Sequence, residues 1–363
     1  MVLVSSTPRQ KRILPHRALA ALAVTLLGAG SLAACGTDGQ AATGEGDGPE
    51  VVASTTVYAD IAEQVAGDNA TVESVISDPA ADPHSYEASP TDAAAVATAD
   101  LVVYNGAGYD GFVDLALENA DDVPVVRAVD EFTRVTGGAV ADHDHSDHDH
   151  SGHDHADEEH GDDHGGAGHE HGGAGQEHGG AGENEHVWFS LPTVAAVAER
   201  VAEELAAIDA ENAEEYRANA RAFADALAPL EAELEEIHDR GHFPYAQTER
   251  VGAHLFDAAH LTDLTPRGFL ASVENDTDPS AADLAALLDL LAERRVAFLA
   301  FNTQTETSVT TRVRDAAEEA DLVVVDLTET LPEGADYLSW MTGIVDRVAG
   351  ALDDAAPLAD GGH

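Results

Sequence analysis

Leu101-Val102-Val103-Tyr104-Asn105-Gly106-Ala107-Gly108 begins as an unbroken apolar run and stops at a Gly-x-Gly, the pattern of a buried strand that ends in a tight turn. A helical pattern over residues 91–97 precedes it and another over 111–119 follows. Beyond these lie two more strand candidates, over 72–76 and 123–126. Val51-Val52-Ala53-Ser54-Thr55 starts the series, with a helical pattern over 58–65 behind it. Strand and helix alternate at the spacing of a parallel sheet with crossover helices.

The alternation returns in the second half. Helical patterns cover 251–259, 281–294 and 308–320, strands cover 296–301 and 322–327, and a last helix runs over 336–352. Two amphipathic segments separate the halves. His186-Val187-Trp188-Phe189 leads into the first, with Pro192 near its first turn and Val194, Val197, Val201, Leu205 and Ile208 on one face. In the second, Tyr216, Ala220, Phe223, Leu227, Leu230, Leu234 and Ile237 form one stripe, with Pro229 as a kink point. The stripe is read as core packing, and its length as a helix joining two lobes. The expected fold is α/β: two Rossmann-like lobes with parallel sheets, joined by a long linking helix. Ligands of such folds sit at the carboxyl ends of the strands, so the cleft belongs between the lobes.

Charge narrows the partners. The chain of 363 residues carries 17 basic and 69 acidic side chains, a formal net of -52, which disfavours nucleic acid and anionic lipid and favours cations. Its single lysine, Lys11, fits a salt-adapted or GC-rich bacterial composition. Arg9, Lys11, Arg12 and Arg17 precede an apolar run over 18–27, the order of an export signal and too short for a comfortable membrane span. Leu32-Ala33-Ala34-Cys35-Gly36 then resembles a bacterial lipobox, with Cys35, the sole cysteine, as the lipidated residue. The alternative is cleavage at Ala-x-Ala with a spare thiol. Residues 1–34 are thus read as a signal peptide and 35–50 as a flexible lipid-anchored tether, placing the protein on the outer face of a bacterial cell membrane.

Residues 142–185 are almost all histidine, acid, glycine and alanine, with eleven histidines between His143 and His178. So little apolar mass cannot offset chain entropy, so a disordered loop is expected. Neutral imidazole is the commonest side-chain metal ligand, which makes the loop a cation collector or, more blandly, a charged linker or passive buffer.

Four donors stand where a strand ends or a helix begins. His84 lies in the proline-bounded turn Asp82-Pro83-His84-Ser85-Tyr86-Glu87-Ala88-Ser89-Pro90, and His186 closes the histidine tract beside Trp188. Glu249 precedes a helix and Glu329 directly follows a strand. Two imidazoles with two carboxylates suit zinc, manganese or ferrous iron. His254 is read as a packed or exposed helix histidine, and His238, His242 and His260 as surface residues.

The 82–90 segment resembles the signature of the metal-binding lipoproteins that serve bacterial ABC importers of zinc and manganese, and His186-Val187-Trp188 resembles that family's second ligand segment. Asn105-Gly106-Ala107-Gly108-Tyr109, Thr265-Pro266-Arg267-Gly268-Phe269, Asp278-Pro279-Ser280, Asn302-Thr303-Gln304-Thr305, Thr328-Glu329-Thr330-Leu331-Pro332 and Tyr337-x-x-Trp340-Met341 extend the similarity over about 51–352. The resemblance implies a metal site of two residues per lobe, at His84, His186, Glu249 and Glu329. It also implies an N-terminal lobe over 51–190, a helical region with the linking helix over 191–240, a C-terminal lobe over 241–355 and a tail over 356–363.

Zinc-type relatives commonly place a histidine where this chain has Glu249, and manganese-type relatives a glutamate. Harder carboxylates shift preference toward manganese, whereas the histidine tract suits zinc; zinc is the expected cargo and manganese or iron the alternative. The implied partners are an ABC permease and its ATPase, with the protein a monomer. No His-Glu-x-x-His or comparable motif supports a metal-dependent hydrolase, so capture without catalysis is expected. An adhesin in cell adhesion, or a metal store, is the other rival.

Overall fold

The computed structural model describes residues 48–118, 120, 122–138, 184–275, 277–353 and 355–358. The signal peptide, Cys35, most of the tether, the histidine tract over 142–183 and the end of the tail lie outside the described residues.

Two parallel four-stranded sheets carry the fold. The first holds β1 (Glu50–Thr55), β2 (Thr71–Ile76), β3 (Leu101–Tyr104) and β4 (Val125–Arg127) in the order β2-β1-β3-β4. The second holds β5 (Pro244–Gln247), β6 (Thr262–Asp263), β7 (Phe298–Asn302) and β8 (Val323–Leu327) in the order β6-β5-β7-β8. One arrangement is thus used twice. Val51 pairs with both Val72 and Leu101, and the registers of β7 and β8 run from Phe298 with Val323 to Asn302 with Leu327. In each sheet the order reverses beside the founding strand, which leaves a crevice at the carboxyl ends.

Side-chain alternation along the strands assigns each face. Val51 and Ala53 point into the main core, Val52 into a second cluster with Ile76, Val96, Val102 and Phe112. Ala246, Leu299 and Phe301 of the second sheet likewise face a third cluster with Phe269, Leu287 and Val313. The main core is continuous through both sheets, joining Val51 and Val103 to Tyr245, Phe298 and Val325 through Trp188, Phe189 and Tyr337.

The helices are α1 (Thr56–Ala66), α2 (Pro90–Thr98), α3 (Gly111–Leu117), α4 (Ala128–Thr136), α5 (Leu191–Ile208), α6 (Ala213–Asp239), α7 (Ala253–Ala258), α8 (Arg267–Val273), α9 (Ala281–Ala292), α10 (Ser308–Glu319) and α11 (Tyr337–Ala351). α6 has 27 residues, roughly 40 Å of helix, and continues through Pro229. Every member of its expected stripe is buried, against α1 and α5 on one side and α11 on the other, so it links the two sheets. Ile208 departs from expectation: it is the last residue of α5 and 38% exposed, because the helix ends before that face meets a partner. Among the described residues no helix is long and apolar enough to cross a membrane.

Four elements had no sequence reading. β5 opens on a proline and β6 is two residues long, α4 is amphipathic but brief, and α8 hides behind Pro266.

Candidate metal centre

Three of the donors arrive at one place because the loops after β2, β5 and β8 open at carboxyl ends of strands, and His186 comes from the short turn before α5. After β2, Asp82 caps a short 3-10 turn by accepting from the His84 amide at 2.9 Å, with Pro83 setting the first helical position. The His84 ring meets the Tyr109 ring edge-on with centroids 4.9 Å apart. Tyr109 is itself held by the turn behind β3, where Asp110 accepts from the amides of Asn105 (2.7 Å) and Gly106 (2.8 Å). Gly106 sits at φ +86 with Arg127 packed where a Cβ would stand, so both its conformation and its close contact require glycine.

His186 is 7% exposed and wedged beside Trp188, with centroids 5.2 Å apart. Its Nδ1 lies 2.7 Å from Oδ1 of Asn184, whose amide nitrogen donates to the Arg250 carbonyl at 2.9 Å. The amide orientation is therefore set, Nδ1 must donate, and the lone pair of His186 resides on Nε2. Burial drives this imidazole down to about 3, with the Glu329 charge opposing and the His84 charge assisting.

Glu329 follows β8 and is 1% exposed. Asn302, the last residue of β7, donates through one amide nitrogen to both Glu329 Oε1 (2.8 Å) and Glu249 Oε2 (2.6 Å), so the two carboxylates share one pin. Thr305 donates to the other oxygen of Glu249, and the Glu329 amide donates to the Gln304 side chain. Burial pushes Glu249 up to about 7 against the pull of Thr305 and Asn302. Burial also raises Glu329, but the close imidazole of His84, then that of His186, outweigh it and hold the carboxyl below the usual range. His84 shows the converse: burial lowers it, and Glu329, Glu185 and Asp82 together lift it to about 9.

The remaining atoms face each other. Glu329 Oε2 lies 3.3 Å from His84 Nε2 and 3.8 Å from His186 Nε2. Oε2 of Glu329 and Nε2 of His186 are both buried and make no hydrogen bond. Such atoms are costly to leave unpaired, and a cation between them would remove the cost. His84, His186 and Glu249 line a cavity of about 490 Å³ together with Tyr109, Arg250 and Glu274. Arg250 is forked onto Glu274 at 2.6 and 2.7 Å, which offsets its positive charge beside Glu249.

His84, His186 and Glu329 thus face one another, Glu249 is tied to Glu329 through Asn302, and one unexpected residue joins the two imidazoles. His84, Glu185 and His186 place a potential ligand atom each within 4.8 Å of one another, with Glu185 Oε1 3.9 Å from His84 Nε2. Sequence offered no means of separating Glu185 from the other acids of the tract that it closes. Asn184, Asn302 and Thr305 were equally invisible, because their contribution is to aim other side chains. His254 turns its Nε2 to the Asn184 carbonyl at 3.0 Å, with its ring tilted against Phe132 at 4.8 Å.

Residues 51–351 match the family described as zinc-uptake complex component A periplasmic. The zinc-binding lipoprotein AdcA of Streptococcus pneumoniae serotype 4 is 26% identical over 314 residues, which is 84% of this chain and 56% of AdcA. The chain therefore spans little more than half the length of that relative. The manganese-binding lipoprotein MntA of Bacillus subtilis is 24% identical over 314 residues, covering 84% of this chain and 87% of MntA. The periplasmic zinc binding protein TroA of Treponema pallidum superposes with a TM-score of 0.61 at 17% identity, over 84% of this chain and 99% of TroA, a likeness of fold.

Proposed function

The chain belongs to the zinc-uptake complex component A periplasmic family, and on that premise we propose that it captures zinc outside the cytoplasm and delivers it to an ABC-type permease and its ATPase. It binds its cargo without transforming it. His84 and His186 supply nitrogen, Glu249 and Glu329 supply oxygen and charge, and the two halves, 51–190 and 241–355 with the helical region 191–240 between, close around the ion. Cys35 carries the lipid that tethers a monomer to the outer face of the membrane. The tract over 142–185 raises the local cation concentration.

One observation carries this reading: two buried atoms without a hydrogen bond, Nε2 of His186 and Oε2 of Glu329, aimed at the same space as Nε2 of His84. A second reading, manganese, draws support from the two carboxylates pinned by Asn302, since oxygen donors suit a harder ion. Native mass spectrometry of the protein, with and without its histidine tract, offered zinc and manganese in competition, distinguishes them. One tight zinc equivalent that survives removal of the tract is expected. Preferential loading of manganese would replace zinc as cargo, and loss of all tight binding with the tract would sink the cleft site.

A further inference from the structure

His238, His242 and His260 are far apart in the chain and together in space. The rings of His238 and His260 stack with centroids 3.9 Å apart at 20°, and the His242 ring lies 6.0 Å from the first and 6.3 Å from the second. Two helix ends bring them there. His238 occupies the last turn of α6, and Gly241, at φ +121, turns the chain back so that His242 returns beside it. His260 follows α7 in the left-handed region at φ 52. The cluster precedes β5, so it sits at the opposite end of that strand from Glu249, up to roughly 20 Å away at about 3.3 Å per extended residue.

We infer that these three histidines form a second metal site, open to solvent and separate from the cleft, for a zinc-class divalent cation. Nδ1 of His242 lies 3.1 Å from the His260 carbonyl. A carbonyl only accepts, so Nδ1 carries the proton and the lone pair is on Nε2, the arrangement by which metal-binding imidazoles are commonly oriented. Burial and the neighbouring rings of His238 and His242 hold His260 below its ordinary value, which keeps its lone pair available near neutral pH. The carboxyl end of the 27-residue α6 contributes its negative dipole to a bound cation. The nearby guanidinium of Arg240 is drawn away, donating to Asp353 at 3.0 Å and to the Ala349 carbonyl at 3.2 Å. Three imidazoles with coordination positions left for water suit zinc, nickel or copper, and ill suit manganese. A metal lies in the plane of each imidazole that binds it, so coordination by all three requires the stacked His238 and His260 rings to swing apart around the ion.

The test is residue-resolved carbethoxylation of the full protein, read by mass spectrometry, with zinc as the probe. His238, His242 and His260 lie on tryptic peptides separate from those of the histidine tract, His84 and His186, so neither the tract nor the cleft obscures the result. Modification of His238, His242 and His260 is expected to fall several-fold together as zinc exceeds the amount that protects His84 and His186. In the variant carrying His238→Gln, His242→Gln and His260→Gln, the zinc bound is expected to drop by one equivalent with the cleft equivalent intact. The single variant His242→Gln, with the fold otherwise undisturbed, should lose the joint protection of the other two. Unchanged modification of the three residues at zinc concentrations that saturate the cleft would overturn the site, as would an unchanged zinc count in the triple variant.

Discussion

The first half of the molecule brings imidazoles to the cleft, His84 and His186, and the second half brings carboxylates, Glu249 and Glu329, although the two sheets share one strand order. Each half positions its pair by different means. The imidazoles are held by ring edges, Tyr109 against His84 and Trp188 against His186, with a single amide from Asn184 setting a tautomer. The carboxylates are held by hydrogen bonds, with Asn302 shared between them and Thr305 on the outer one. A ring needs shape and one directional bond, whereas a buried carboxylate needs donors to offset lost hydration. Identical topology therefore constrains where ligands stand and leaves their chemistry to the loops.

The halves also divide the protons. In each, one group holds a proton that a cation must displace: His84, lifted to about 9, and Glu249, lifted to about 7. Their partners, His186 at about 3 and the depressed Glu329, are already in binding form. A proton lost on binding makes affinity rise with pH. Affinity should thus fall about tenfold per unit as pH drops from His84's range toward Glu249's, and about a hundredfold per unit below it. Chelator-competition titrations across pH check the slopes; a flat profile through both ranges would break the division.

Removing charge from the second half tests the comparison next. Glu329→Gln keeps the shape but leaves a buried neutral group between His84 and His186, and a loss of about 3–5 kcal/mol in zinc binding is expected by calorimetry. Asn302→Ala should cost roughly 100-fold, since one side chain aims both carboxylates, and Asn184→Ala roughly 10-fold, since it aims one ring. An Asn184 effect larger than that of Asn302 would invert the assigned weights. Glu185→Gln should change affinity least, by about 1 kcal/mol or less, because its carboxylate is partly exposed and 3.9 Å from His84.

Much of this was legible in the chain because it rests on local signals. The apolar runs at 51–55 and 101–104 and the four-three stripe of α6 are periodic, and the turn around His84 is bounded by prolines. What escaped notice depends on three-dimensional context. β5 is buried throughout yet reads Pro-Tyr-Ala-Gln, without period or β-branching, and is recognisable only from its place between β6 and β7. Asn302 looks like a strand terminus until Glu249 and Glu329 meet on it. His238, His242 and His260, read singly as surface residues, become a cluster only when two helix ends converge.

Anomalous diffraction at the zinc edge from crystals of the zinc-loaded protein tests the four-residue cleft site most directly. The predicted result is a peak about 2.0–2.2 Å from Nε2 of His84, Nε2 of His186 and an oxygen of each of Glu249 and Glu329. A peak held by His84, Glu185 and His186, with Glu249 still bound to Asn302 and Thr305 and away from the ion, would contradict it.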